Sequence, residues 1–193
     1  MSKVSIVNKA LRYLGANKIT SLTDGSFEAQ CATNAYEDSL RSILAECCWK
    51  FATARVMLNK LDLEPAWTEN GMKNYFQLPS DLVEIFGVNN ECAIWTREGD
   101  KILSNVSSLG IKYVYYLDDT TKYPPAFIDA FACLLASAMC YDITNSNEKM
   151  MSLIELYKGE FLPVAKSRNA RGGSPEQVKD GLWINSVRAG VNG

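Results

Sequence analysis

The chain is of moderate length and carries little net charge. It has 193 residues, of which 47% are hydrophobic and 22% charged, and its formal net charge is -2. This composition predicts an ordinary soluble globular protein with one sizeable core, or a core with a small inserted subdomain. Because the lysines and arginines are scattered singly, the sequence disfavours a protein that grips the nucleic-acid backbone, which requires a basic face.

Membrane, metal and disulfide chemistry also have little support. We find no apolar run of roughly 18 residues, and the polar start MSKVSIVNK lacks the hydrophobic region of a signal peptide. We therefore expect maturation in the cytosol, without membrane contact. The chain has no histidine and no CxxC pair, so we expect no cofactor or metal and predict reduced, buried thiols. The six cysteines are Cys31, Cys47, Cys48, Cys92, Cys133 and Cys140.

Two amphipathic helices are predicted in the first 47 residues. Apolar side chains recur at helical spacing up to Leu14, and Gly15 can take the left-handed turn that ends a helix. A crossover at residues 19–22 leads into a second helix over about residues 27–47. Either Asp24 or Ser26 can cap this helix through its side-chain oxygen.

From Trp49 onward the apolar residues alternate, which predicts a strand and then a series of further strands. Turns at residues 89–90 and 98–100 separate three of these segments, as in an antiparallel meander. Such short connections leave no room for crossover helices, so a parallel sheet is disfavoured. We predict the further strands at residues 75–78, 82–88, 92–96, 101–104 and 111–117.

Helical spacing returns after residue 123. Pro124 and Pro125 suit the first turn of a third helix, and a fourth is predicted over about residues 148–166. From Arg168 onward the sequence is polar and contains several glycines, yet it includes an apolar cluster around a tryptophan. We expect this cluster to bind either a groove on another chain or the protein's own bundle. The candidate binding residues are Leu182, Trp183, Ile184, Val187 and Arg188.

Together these elements predict an α+β fold. It consists of an antiparallel bundle of about four helices, an inserted antiparallel β meander and an extended C-terminal arm. The bundle comprises residues 1–48 and 124–167, the β-rich insert residues 49–123, and the arm residues 168–193. Trp49 and Phe51 are expected to fill the junction between helices and sheet, and the tyrosines at 113, 115 and 116 to mark a strand with both faces occupied.

Catalytic chemistry has weak support. The absence of histidine removes the usual general base, and neither GxxxxGK[ST] nor GxGxxG occurs. What remains is a pair of carboxylates acting as acid and nucleophile of a glycan hydrolase. The Asp118-Asp119 pair before Thr-Thr is more typical of a turn and helix cap than of a metal site. The carboxylates considered are Glu28, Glu37, Glu46, Asp118, Asp119, Asp129 and Glu155.

Nine residues in the N-terminal quarter of the chain form a pattern: Val7, Asn8, Leu11, Leu14, Gly15, Ser21, Leu22, Trp49 and Phe51. With these residues the chain resembles the podophage head-to-tail adaptor family, which includes the tail tubular protein A of short-tailed phages. That family has a V-N-x-x-L-x-x-L/I-G helix, an S-L crossover, a helix rich in Ala and Leu, and a W-x-F strand entry. Cys47-Cys48 and Ala52 depart from the family pattern, which tends to have a small residue or glycine before the tryptophan and asparagine after the phenylalanine.

The resemblance implies a structural role and no enzymatic activity. By analogy, copies would form a dodecameric ring under the portal protein, extend the DNA channel and offer a platform for the tail nozzle and fibres. DNA would pass without sequence-specific binding, and the protein would be found in the virion after assembly in the host cytoplasm. Two alternatives stay open: a carboxylate-based peptidoglycan or polysaccharide hydrolase associated with the tail, and another head- or tail-completion ring protein.

Overall fold

A computed structural model describes residues 1–171 and has an α+β fold with antiparallel strands, as predicted. Its α-helices are α1 (Lys3–Leu14), α2 (Phe27–Ala45), α3 (Pro125–Thr144), α4 (Asn147–Leu156) and α5 (Leu162–Arg171). Its strands are β1 (Thr53–Met57), β2 (Asn74–Gln77), β3 (Leu82–Val88), β4 (Trp95–Glu98), β5 (Lys101–Ser104) and β6 (Gly110–Tyr115).

The ends of α1 and α2 follow from local hydrogen-bonding chemistry. Gly15 ends α1 in the left-handed region at a φ of 71°, as predicted. Of the two candidate caps for α2, Ser26 occupies the position, because its side chain accepts from the backbone N–H of Ala29. Asp24 instead accepts hydrogen bonds from Thr20 and Ser26, which stabilises the crossover. The second helix ends at Ala45, two residues before the predicted end.

The third helix is the centre of the bundle. Pro124 is its cap residue and Pro125 its first residue, and α3 packs against α1, α2, α4 and α5. Pro125–Thr144 is long and apolar enough to cross a membrane by length and composition, so the sequence expectation that no such run exists was wrong. The core helix of a soluble protein passes the same test, and 67% of the apolar window is buried inside the protein.

The predicted fourth helix is one continuous helical segment that contains an irregular turn near its middle. A π-helical turn at Tyr157–Phe161 joins α4 to α5, and Ser146 caps the start of α4. This helical segment extends to Arg171. The prediction that the extended arm begins at Arg168 is therefore wrong for residues 168–171, which are helical.

The strands form two three-stranded antiparallel sheets instead of a simple meander. The first sheet has the order β1-β6-β3 and the second the order β2-β5-β4. Among the strands of residues 1–171, only β4 and β5 are joined by a turn and also pair with each other, with Gly99 in that turn at a φ of 63°. The turn at residues 89–90 leads from one sheet to the other, which turn residues alone cannot reveal because pairing depends on tertiary contacts.

Several strand boundaries differ from prediction, and β2 (Asn74–Gln77) is shifted by one residue. The first strand begins at Thr53, because Lys50–Ala52 forms a 3-10 turn after Trp49. The fourth begins at Trp95, three residues later than predicted, and β6 ends at Tyr115. At the start of β1, the buried residues Trp49 and Ala52 are three positions apart, as in a 3-10 turn, so the alternation of apolar residues in the sequence does not correspond to a strand here.

Two hydrophobic cores meet at the junction between helices and sheets. The bundle core lies between α1, α2, α3 and the continuous α4–α5 helix. The sheet core contains Phe76, Leu78, Ile102, Leu109, Ile111 and Tyr113. Trp49 and Phe51 both contact the ring of Phe127 on α3, which confirms their predicted place at the junction. On β6, Tyr113 belongs to the sheet core and Val114 to the bundle core, so this strand has both faces occupied, as predicted.

The cysteines are free thiols with different degrees of burial. Cys31, Cys133 and Cys140 are buried in the bundle, as predicted, whereas Cys47 and Cys48 are half-buried. Cys92 is exposed in the loop before β4, so the prediction of burial was wrong for this residue. Burial raises the pKa of Cys133 to about 11, which keeps this thiol protonated at neutral pH.

Candidate functional site

The predicted binding residues Leu182, Trp183, Ile184, Val187 and Arg188 lie outside the described residues, so their contacts stay a prediction. The structure does describe the chain that precedes them, up to Arg171. Near the end of α5, the Asn169 side chain accepts from the backbone N–H of Lys50 at 2.9 Å and donates to the carbonyl of Cys48 at 3.0 Å. The Lys50 ammonium donates to the carbonyl of Ala170 at 2.8 Å. Residue 171 therefore lies beside the entry to β1.

An open groove lies on the first sheet, with a volume of about 520 Å³. We call it the sheet groove; its lining includes Arg55, Met57, Phe86, Gly87, Gly110 and Lys112. Across the three strands, Arg55 pairs in register with Lys112, and Lys112 with Gly87. Since Ile111 and Tyr113 face the sheet core, Lys112 lies on the opposite face. The bundle core covers this face at Val114 and leaves it open at Lys112.

Two glycines make this surface concave. Gly87 interrupts β3 beside a register shift, and a Cβ added there would have no atom within 4 Å. At Gly110 an added Cβ would lie 2.7 Å from the sulfur of Met57 and 3.3 Å from the carbonyl oxygen of Val56, so the absence of a side chain leaves room for Met57 over this position. Asn89 closes one end by accepting from the N–H of Gly110 at 2.8 Å. The floor of the sheet groove therefore carries no side chain at Gly87 and Gly110.

The sheet groove combines apolar walls with positive charge. Met57 is 56% and Phe86 37% exposed on opposite edge strands. Arg55 and Lys112 form no ion pair with any residue in the described part of the chain. Uncompensated cations beside apolar surface favour a partner that supplies both an acidic group and an apolar side chain.

The second sheet has one open edge with an aromatic residue. Residues 59–61 cover the outer edge of β2, where the N–H of Leu61 donates to the carbonyl of Tyr75 at 2.8 Å. The other edge strand, β4, is exposed along its whole length and includes Trp95, preceded by the exposed Ile94. An open edge with exposed apolar side chains is a surface suited to a protein partner.

The helical bundle carries a smaller apolar surface. Phe27 at the start of α2 and Tyr141 near the end of α3 are both more than half exposed. They line a shallow depression of about 330 Å³ together with Asp142. The bundle and the sheets therefore present chemically different surfaces.

The carboxylates considered as catalytic are mostly engaged in separate local contacts. Glu37 pairs with Arg41, Glu46 with Lys166, Asp118 with Lys3 and Asp129 with Lys9, while Glu28 accepts from Asn17 and Glu155 is exposed on α4. Within residues 1–171 no group of three His, Cys, Asp or Glu side chains has the arrangement of a metal site.

The Asp118-Asp119 pair divides into two structural roles. Asp119 caps the 3-10 turn Thr120–Lys122, and hydrogen bonds from the side chain and backbone of Thr121 lower its pKa. One oxygen of Asp118 binds Lys3, while the other is buried without a hydrogen-bond partner in the described residues. The interpretation of this pair as a turn and cap is confirmed for Asp119.

Sequence reasoning did not find the sheet groove. The one signal present was Gly87 inside a largely apolar strand, a position that often marks a bulge or a close backbone approach. Arg55 and Lys112 are 57 positions apart in the chain and meet only through the β1–β6 register. The sequence matches no protein-family model, and a search of curated proteins finds no match either.

Proposed function

We propose that this chain is a structural head-to-tail adaptor of a short-tailed phage. Its copies form a closed ring under the portal protein, dodecameric by analogy, that extends the DNA channel and carries the tail nozzle and fibres. The observation that carries the proposal is the adaptor-like set of residues between Val7 and Phe51. Its members hold together the N-terminal part of the bundle and its junction with the sheets.

The helical part of this set has a defined structural task. Val7, Leu11 and Leu14 are buried along one side of α1. Asn8 donates to the carbonyl of Ile19 at 2.9 Å and accepts from the N–H of Ile19 at 2.8 Å. Both hydrogen bonds fix the crossover to the helix, which supports reading the V-N-x-x-L-x-x-L-G pattern as a structural motif.

The strand-entry part of the set joins the two halves of the molecule. The Trp49 indole donates to the carbonyl of Ile43 at 2.7 Å and packs edge-on against Phe127. The departure at Ala52 is accommodated by full burial in the 3-10 turn. The second departure, Cys48, offers its carbonyl to Asn169 of α5. The entry to β1 is thus braced by the bundle on two sides.

Closure into a ring requires two different surfaces on each chain, because neighbours meet head to tail. The sheet groove and the depression beside Phe27 and Tyr141 belong to different parts of the molecule and differ in charge and shape. A chain with distinct sheet and bundle surfaces is suited to heterologous contacts. This asymmetry supports a ring in preference to a two-fold dimer.

Native mass spectrometry of the full chain, alone and with a portal ring from the same phage, tests the proposal. We expect a complex in which each portal ring carries a fixed, dodecameric complement of copies. Met57→Asp in the sheet groove should weaken assembly, whereas Leu63→Asp, at a position 51% exposed outside it, serves as the matched control. Monomers that never bind the portal would contradict the adaptor function.

Zymography on peptidoglycan and capsular polysaccharide provides an independent test against the hydrolase alternative. We expect no clearing from the full chain or from single variants such as Glu28→Gln and Glu155→Gln. Clearing that one carboxylate substitution abolishes would overturn a purely structural role.

A further inference from the structure

The sheet groove has the chemistry of a peptide-binding surface, and the C-terminal sequence has the complementary chemistry. We propose that residues 180–187 of the same chain dock in the sheet groove, with Trp183 over Gly87 and Gly110 and with Asp180 beside Arg55 and Lys112. This inference does not depend on the adaptor function, since it concerns the isolated chain; a neighbouring chain that occupied the sheet groove in a ring would displace this segment.

The geometry of the chain end allows this contact. Residue 171 lies beside Lys50, and the strand from Lys50 to Met57 covers roughly 20 Å. The nine peptide units between Arg171 and Asp180 span up to about 30 Å when extended. The connection therefore reaches the sheet groove without displacing any described element.

The two surfaces match in shape and charge. Trp183 offers a flat ring for the space that Gly87 leaves, next to the sulfur of Met57 and the ring of Phe86, contacts that aromatic side chains favour. Asp180 lies three positions before the tryptophan and supplies the carboxylate that Arg55 and Lys112 lack. Strand β1 is also an edge strand, which an extended segment can join.

Docking within one chain is favoured over exchange between copies in dilute solution. A connection of about ten residues gives an effective concentration in the millimolar range, far above the micromolar concentration of free copies. The occupant of the isolated protein is therefore its own C-terminal segment.

Trypsin cleavage after Lys179 and Arg188 in the full chain, followed by mass spectrometry, tests the contact. Gly87→Leu fills the sheet groove at a position with open space and no positive φ, so the fold should tolerate it. We expect both sites to be cleaved about tenfold faster in this variant, because proteolysis follows the population of the undocked segment. Gly159→Leu, an exposed position in the π-helical turn with equal space, is the matched control and should cleave at the wild-type rate.

Hydrogen exchange gives a second readout that does not depend on altering the sheet. In Trp183→Ala the amides of residues 55–57 and 86–89 should exchange faster, while Trp67→Ala, in an exposed loop residue, should leave them unchanged. Equal cleavage rates in wild type and Gly87→Leu, or unchanged exchange in Trp183→Ala, would overturn the proposal. Protection that increases with protein concentration would overturn docking within one chain and indicate exchange between copies.

Discussion

The helical bundle and the two sheets differ in how much of their apolar surface they bury. In the bundle, α3 is surrounded by the other helices, and aromatic rings from α2, α3 and the β1 entry contact one another. The sheets enclose only a small core. Of the twelve large apolar side chains that are exposed in residues 1–171, seven belong to residues 53–115: Val56, Met57, Leu63, Trp67, Phe86, Ile94 and Trp95.

This difference separates stability from recognition. The bundle buries most of its apolar surface in its own core, so substitutions there should mainly change the stability of the fold. The sheets leave apolar and cationic surface available, so substitutions on their exposed faces should act on partner binding. The predictions below test that division, beginning with the residue that joins the two regions.

Trp49→Ala should have the largest effect on stability. The side chain is 1% exposed, and its loss removes both the contact with Phe127 and the hydrogen bond to Ile43. We expect a loss of about 3–5 kcal/mol in the free energy of unfolding, measured by urea denaturation. Trp67→Ala, at a tryptophan that is 72% exposed in the loop before β2, is the control and should cost about 0.5 kcal/mol or less. Equal losses would contradict the division between the two regions.

Asn8→Ala should have the next largest effect, because it leaves the backbone of Ile19 without both partners. Ile19 is buried, so its unpaired N–H and carbonyl cannot turn freely to water. We expect a loss of about 1–3 kcal/mol in unfolding free energy. Asn34→Ala, on the exposed face of α2, provides the comparison and should be close to neutral.

The bundle could be predicted from the sequence because its signals are local. Gly15 ends α1, Ser26 caps α2 and Pro125 opens α3, and each acts within one helical turn of its own position. The extension of α5 to Arg171 was missed because its last turn is polar, although Asn169 anchors it to Cys48 and Lys50. That contact joins positions about 120 residues apart, which no local pattern records.

The sheets and the sheet groove depend on distant pairings and were harder to predict. The segments 82–88 and 101–104 were found correctly, because alternation and turn residues mark individual strands. The turn at residues 98–100 indicates the pairing of β4 with β5, but the other pairings join strands that are not neighbours in the sequence, with β6 between β1 and β3 and β5 between β2 and β4. The row of Arg55, Lys112 and Gly87 exists only through that register.

Gly110→Ala tests how closely the floor of the sheet groove is packed. The new Cβ would meet the sulfur of Met57 at 2.7 Å and the carbonyl oxygen of Val56 at 3.3 Å. Met57 is flexible at its end and can move, whereas the backbone of β1 cannot, so we expect a loss of about 1 kcal/mol in thermal or urea unfolding. Gly87→Ala, with open space around the new Cβ, should be neutral within about 0.5 kcal/mol.

The smallest expected effect is the pH response of the α1–α2 crossover. Hydrogen bonds from the side chain and backbone of Ser26, and then from the backbone of Thr20, lower the pKa of Asp24 to about 2. Because this folded pKa lies below the unfolded value near 4, Asp24 stabilises the protein above about pH 4, and this contribution is lost as the pH falls toward 2.

Urea denaturation at a series of pH values measures this contribution. The difference in unfolding free energy between wild type and Asp24→Ala should become smaller as the pH falls from about 4 to about 2. Ser26→Ala removes the largest cause of the pKa shift of Asp24, so it should reduce the pH-dependent contribution of Asp24 to the unfolding free energy. It should also weaken the cap of α2. A difference that stays constant from pH 4 to pH 2 would show that the charge of the Asp24 carboxylate contributes nothing specific to the crossover.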